Sequence, residues 1–172
     1  LMEMLEHGQL DVALSYKPLQ SYDDIDSHIL FNSNLCVIAG KDNPVAKKER
    51  IRLAELENLP LVLPAKGLQA RNAFDSLLYG QNFKFDVRLE INDLSMLLDM
   101  VSRTNLVTLL SGATIHSNKN FVAISLDHPH SEMQGSFHLL KGTYCKNATK
   151  EFLKMLVENN SFLMAMEAIA NR

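Results

Sequence analysis

Cysteine is scarce: Cys36 and Cys145 are the two in 172 residues. Their separation matches no metal-ligand or redox spacing, which excludes a cysteine-built zinc site and a disulfide framework. Cys36 sits in an apolar strand pattern and reads as a small buried hydrophobe. An excess of charge is also lacking, with 17 Lys and Arg against 20 Asp and Glu mixed along the chain. A nucleic-acid surface gathers cations on one face. Here the longest basic cluster, "KKER" at 47–50, follows the turn signal "KDNP" and reads as a solvated loop. No apolar run reaches membrane-spanning length. The opening "LMEMLEHGQL" is amphipathic and acidic, unlike a secretory signal. Reduced thiols without an export signal point to the cytoplasm. Internal repeats and low-complexity tracts are missing. So are the G-x-S-x-G elbow, the phosphate loop, the dinucleotide fingerprint, the zinc-protease motif and any Cys-His signature, so the sequence points to no enzyme, cofactor or metal. Asp127, His128 and His130 are metal-ligand types, but "DHPH" lies between two strand patterns and reads as a turn.

What is present is a soluble, globular composition, 47% hydrophobic, enough for one domain or two small lobes. The segment "VRLEINDLSMLLDMVSRTNLVTLLSG", 87–112, is its most legible part. Val87, Leu89 and Ile91 alternate with Arg88, Glu90 and Asn92, the period of a half-buried strand. Leu94, Leu97, Leu98 and Val101 then fall on one helical face, with Asn92 and Asp93 placed to cap it. The apolar run Leu106–Leu110 reads as a strand covered on both faces. Strand, helix and strand at this size form a parallel crossover, which puts Asn92 at the carboxyl end of a strand, where open α/β sheets bind ligands.

Elsewhere the pattern predicts a helix at 1–7 closed by Gly8, strands at 10–16, 26–31 and 34–40, and a helical turn before a buried strand at 60–63. A helix over 68–80 carries Phe74, Leu77 and Leu78 on one face. A helical turn at 112–117, strands at 121–126 and 133–141, a helix capped by Asn147 and further helix to the end complete the order. Strands and helices alternate, so the class is α/β.

Three stretches carry a family resemblance. "LEHGQLDVAL" resembles the segment leading into an early strand of the effector-binding domain of LysR-type transcriptional regulators. "HILFNSNLCVIAGKDNPVAKKERIRLAEL" resembles that domain's paired strands, its loop and the short helical turn after it. "RLEINDLSMLLDMVSRTNLVTLL" resembles its strand–helix–strand unit. These occur in the family's order and spacing across about residues 2–158. The resemblance implies a periplasmic-binding-protein-like fold: two Rossmann-like α/β lobes joined by two crossing strands, with a small effector in the cleft between them. Lobe I then holds 1–40 and 142–172, the crossover region 41–49 and 127–141, and lobe II 50–126. It implies a cytoplasmic chain that pairs with itself as a dimer or tetramer, with the helices at 1–7 and 68–80 as candidate surfaces, and that reaches DNA only through an N-terminal domain not in this sequence. The family's first effector-domain strand and most of its first helix are missing as well. Its glycines before the "llp" strand are replaced by Arg103-Thr104-Asn105, and its proline by Ser111.

Candidate ligand residues follow from strand ends and helix starts. "PAKGLQAR", 64–71, leaves the buried strand and opens a helix. Gly67 lets backbone approach a ligand, the N–H groups around Leu68 and Gln69 suit an anion, and Lys66 adds a cation; the plainer alternative is an ordinary turn with an exposed lysine. Asn92 is the better hydrogen-bonding candidate of its pair, because Asp93 suits the cap. Ser111 and Gly112 end the following strand. Ser15 and Tyr16 end the strand at 10–16 in the other lobe, where a surface Tyr-Lys before Pro18 is the bland reading. The function expected is effector sensing without chemistry. The competing expectation is a transport system's solute-binding protein, which shares the fold.

Overall fold

The computed structural model of the chain describes residues 1–18, 20–115 and 118–158. The expected helix beyond 158 lies outside them. The chain divides into two units, Leu1–Ser33 with the residues from Met133 on, and Asn34–Glu132.

In the first unit, helix α1 (Met2–Glu6) stops where Gly8 takes φ +66°, a conformation that costs glycine little. Met2 and Leu5 bury themselves with Ala13 and Ile25. Strand β1 (Ala13–Tyr16) pairs antiparallel with β8 (Glu132–Leu140), from Ala13↔His138 to Tyr16↔Gly135. On its other side β8 meets β2 (Ile25–Gly40). The two strands expected at 26–31 and 34–40 are thus one strand of 16 residues. The polar run Asn32-Ser33-Asn34 suggests a turn by composition, but ladder pairing holds it extended. Gly135 is required by packing: a Cβ there would lie 2.1 Å from the Phe31 ring. Helix α4 (Asn147–Glu158) starts at Asn147 itself, which is therefore a helical residue and not the expected cap.

In the second unit the pairings give the order β5–β4–β6–β2–β7–β3. Parallel β4 (Pro60–Pro64) and β5 (Asp86–Ile91) lie at one side. A parallel bridge, Leu61↔Val107, joins β4 to the residue preceding β6 (Thr108–Ser111). β6 and β7 (Phe121–Leu126) each run antiparallel to β2, and the two-residue β3 (Arg50–Ile51), which the pattern did not predict, runs parallel to β7. Helix α2 (Gln69–Leu77) ends three residues before the expected limit. Phe74 and Leu77 are buried as expected. Helix α3 (Leu94–Arg103) packs Leu97 and Val101 against Cys36, Ile38, Val62 and Leu110, about 1.5–3 kcal/mol for each side chain removed from water. Three expected core positions fail. Leu94 is 47% exposed, because it lies in the first turn of α3 beyond the edge of that cluster. Val87 and Leu89 are 39% and 43% exposed, because among the described residues β5 has β4 as its single strand partner.

Candidate functional site

In the second unit β5, β4 and the strand leading into β6 run in one direction, so their carboxyl ends share an edge. Pro64 pairs with Ile91, and the Ala65 amide donates to the Ile91 carbonyl at 2.9 Å. The same edge therefore carries the 65–69 turn, Asn92 and, at the end of β6, Ser111. Gly67 takes φ +90° with open space where a Cβ would stand. Leu68 occupies the N-cap position of α2 and offers no side-chain acceptor, and the first turn of α2 holds no acid. Its first N–H groups thus keep their partial positive charge for an incoming anion. Lys66 and Gln69 are exposed beside them. Among the described residues the side chains of Lys66, Gln69 and Asn92 make no hydrogen bond. The neighbouring helix differs: Asp93 caps α3 by accepting from the Met96 amide at 2.7 Å.

Behind this edge lies Arg71, 7% exposed, which sequence reasoning did not single out. Its Nη1 donates to the Pro64 carbonyl at 3.1 Å and to Glu90 Oε1 at 2.8 Å, and its Nε donates to Asp75 Oδ1 at 2.8 Å. One guanidinium thus ties the end of β4, the end of β5 and the start of α2. Burial alone would lower its pKa; hydrogen bonds and charge from Asp75 and Glu90 outweigh it, and the net shift is upward. The signal available in the sequence was the i, i+4 spacing of Arg71 and Asp75.

Ser111 and Gly112 are more deeply built into the fold. Ser111 is 2% exposed and its Oγ accepts from the Ala113 amide at 3.3 Å. A Cβ on Gly112 would lie 3.2 Å from Cys36 Sγ, so this glycine allows close packing. The Cys36 thiol is pushed up to about 11 by burial, against a smaller opposing effect from the Gly112 backbone, and stays protonated.

Ser15 and Tyr16 belong to the first unit. Ser15 Oγ donates to the Tyr16 carbonyl at 3.0 Å, so it accepts from His138 Nε2 at 3.0 Å. That tautomer leaves His138 Nδ1 to accept from the Ser27 hydroxyl at 2.8 Å. His138 is fully buried, and burial lowers its pKa, against a smaller opposing effect from Ser15. The Ser15 hydroxyl is thus occupied by a strut across β1, β8 and β2. Sequence gave no signal for it, because the partners lie 123 and 111 residues from His138. Tyr16 sets its ring edge-on to Phe31 at 6.0 Å.

The "DHPH" segment is a turn, with the His130 amide donating to His128 Nδ1 at 3.2 Å. Among the described residues no cluster of His, Cys, Asp and Glu could hold a metal, and no helix is long and apolar enough to cross a membrane.

Comparison with known proteins places this geometry. The HTH-type transcriptional activator CmpR of Synechocystis is 30% identical over 92 residues, which is 54% of this chain and 30% of that protein. The regulatory domain of CcmR from Synechocystis PCC6803, solved in complex with 2-PG, superposes with a TM-score of 0.79 at 20% identity, covering 92% of this chain and 77% of that one. An ABC-type phosphate transport receptor from Vibrio cholerae superposes at 0.64 and 17% identity, covering 95% and 80%. The mixed α/β fold is therefore the one shared with periplasmic binding proteins, as the resemblance implied. The family model described as the LysR substrate binding domain matches residues 1–161, and the chain belongs to that family.

Proposed function

We propose that this chain is the effector-sensing and self-associating part of a LysR-type transcriptional regulator, and that the carboxyl edge of β4, β5 and β6 in the second unit grips a small anionic effector. One observation carries this reading. Three parallel strands end beside a helix start that has no side-chain cap, while Lys66, Gln69 and Asn92 stand there without hydrogen-bond partners among the described residues. The first N–H groups of α2 and Lys66 take the anionic group. Asn92 and Gln69 hydrogen-bond its polar substituents, Gly67 lets the backbone come close, and Leu68, 42% exposed, covers its apolar part. Arg71 holds the two strand ends and the helix start at fixed separation. Ser111 and Gly112 shape the floor.

The two units, divided at Ser33 and Glu132, are the two lobes of the family, with β2 and β8 as the connecting strands. The protein performs no chemistry. An effector that prefers one arrangement of the regulator shifts the population toward it, and DNA-binding parts outside this chain read out the shift. The regulator works in the cytoplasm as a homodimer or tetramer, with α1 and α2 as contact helices; Met4 on α1 is 41% exposed and Tyr79 after α2 is 92% exposed. The family match favours this over a transport-binding role. Titration calorimetry with 2-PG, and a thermal-shift panel of small carboxylates, amino acids and aromatic acids, test it. Lys66→Ala and Asn92→Ala are each expected to weaken the strongest hit about tenfold, the effect of losing one hydrogen bond to a charged group. Unchanged affinity in both variants refutes the site.

A further inference from the structure

The first unit carries a separate cavity of about 390 Å³ beside the start of α4. Its apolar side is built from Leu5, Leu10, Leu139 and Leu140, and its polar side from Asp11, Lys146 and Thr149. Three independent features of the polar side converge. First, α4 is 12 residues long and its first turn holds no acid. The residue before it is Lys146, whose ammonium cannot accept a hydrogen bond. The first bond into the helix is Lys150 N–H to the Lys146 carbonyl at 3.0 Å, so among the described residues the amides of 147, 148 and 149 have no acceptor. Second, Thr149 is 7% exposed, yet its hydroxyl makes no hydrogen bond among the described residues and lines this cavity. That hydroxyl is therefore available to donate to a ligand oxygen in the cavity. Third, the acid at the rim is neutralised: Lys146 Nζ holds Asp11 at 2.9 Å.

We propose that this cavity binds a small carboxylate bearing a short aliphatic tail. Its carboxylate caps α4 by accepting from the first amides and from the Thr149 hydroxyl, and its tail lies on Leu10, Leu139 and Leu140. The volume lies within the range of small-molecule sites, roughly 300–1,000 Å³. The proposal is independent of the second-unit site and adds to the protein a second class of ligand contact.

Backbone-amide NMR titration of the 172-residue chain with hexanoate, and with hexanamide as its uncharged counterpart, tests it. Expected are saturable shifts at the amides of Asn147, Ala148 and Thr149 with hexanoate and none there with hexanamide. Lys146→Ser places a capping hydroxyl at the helix start, and Thr149→Val removes the hydroxyl of the residue that lines the cavity. Each is expected to weaken hexanoate about tenfold at 147–149. Absence of saturable shifts at 147–149, equal binding of hexanamide, or shifts confined to 64–69 and 92 would each overturn the proposal. Loss of hexanoate binding when the chain carries residues ahead of Leu1 would overturn it as well, since the space would then belong to the fold. If Lys146→Ser does not fold, the Thr149→Val comparison decides.

Discussion

Arg71→Met removes the guanidinium that ties β4, β5 and α2 while keeping an apolar stem of similar length. The Pro64 carbonyl loses a donor within a buried strand end, which costs about 1 kcal/mol. Asp75 and Glu90 lose charged partners, but their side chains are 45% and 42% exposed and rehydrate, so each loss is discounted to about 0.5–1 kcal/mol. The sum is about 2–3 kcal/mol. Urea unfolding followed by circular dichroism, with hydrogen exchange at 64–69, reads both the loss and its location. Arg103→Met is the control. Its Nε–Asp99 pair is shorter, at 2.6 Å, and has the same i, i+4 spacing, but the two side chains are 75% and 55% exposed. It is expected to leave stability unchanged within error. Equal effects of the two substitutions, or a loss below about 0.5 kcal/mol for Arg71→Met, would refute the view that burial and the link to three elements set the strength of this ion pair.

Other outcomes follow from single contacts. His138 is held neutral in the fold, so its folded pKa lies below the ordinary value of about 6.5. The unfolded chain takes up the proton first, so stability should be full above about pH 6.5, fall as pH drops toward the folded pKa, and lose this slope in His138→Gln, as measured by urea midpoints across pH. Asp93→Ala removes the α3 cap and should cost about 1 kcal/mol by the same assay. Thr108 is fully buried and its hydroxyl has no partner among the described residues, so Thr108→Val should leave stability unchanged or raise it by about 1 kcal/mol, and a loss above that size would show an overlooked role. Gly135→Ala must displace the Phe31 ring and should cost about 1–3 kcal/mol in unfolding free energy.

Local periodicity and capping chemistry were enough to read the elements that depend on near neighbours. The run from Val87 to Ser111 announces strand, helix and strand because its apolar spacing changes from two to three and four at Asp93, and Asp93 then caps the helix. Gly8 ends α1, and Gly67 turns the chain, because each takes a positive φ that other residues resist. The placement of Lys66, Gln69 and Asn92 beside strand ends and helix starts was legible for the same reason: such ends are local events. Tertiary structure decided whatever depends on distant partners. The polar run at 32–34 continues as strand because β2 finds neighbours there, and the apolar face of β5 stays exposed because among the described residues β4 is its one neighbour. His138 meets Ser15 and Ser27 across 123 and 111 residues. Arg71 is buried because Glu90 and the Pro64 carbonyl arrive from two other elements. Such pairings are set by strand register and helix packing, which bring together side chains whose sequence positions carry no mutual signal.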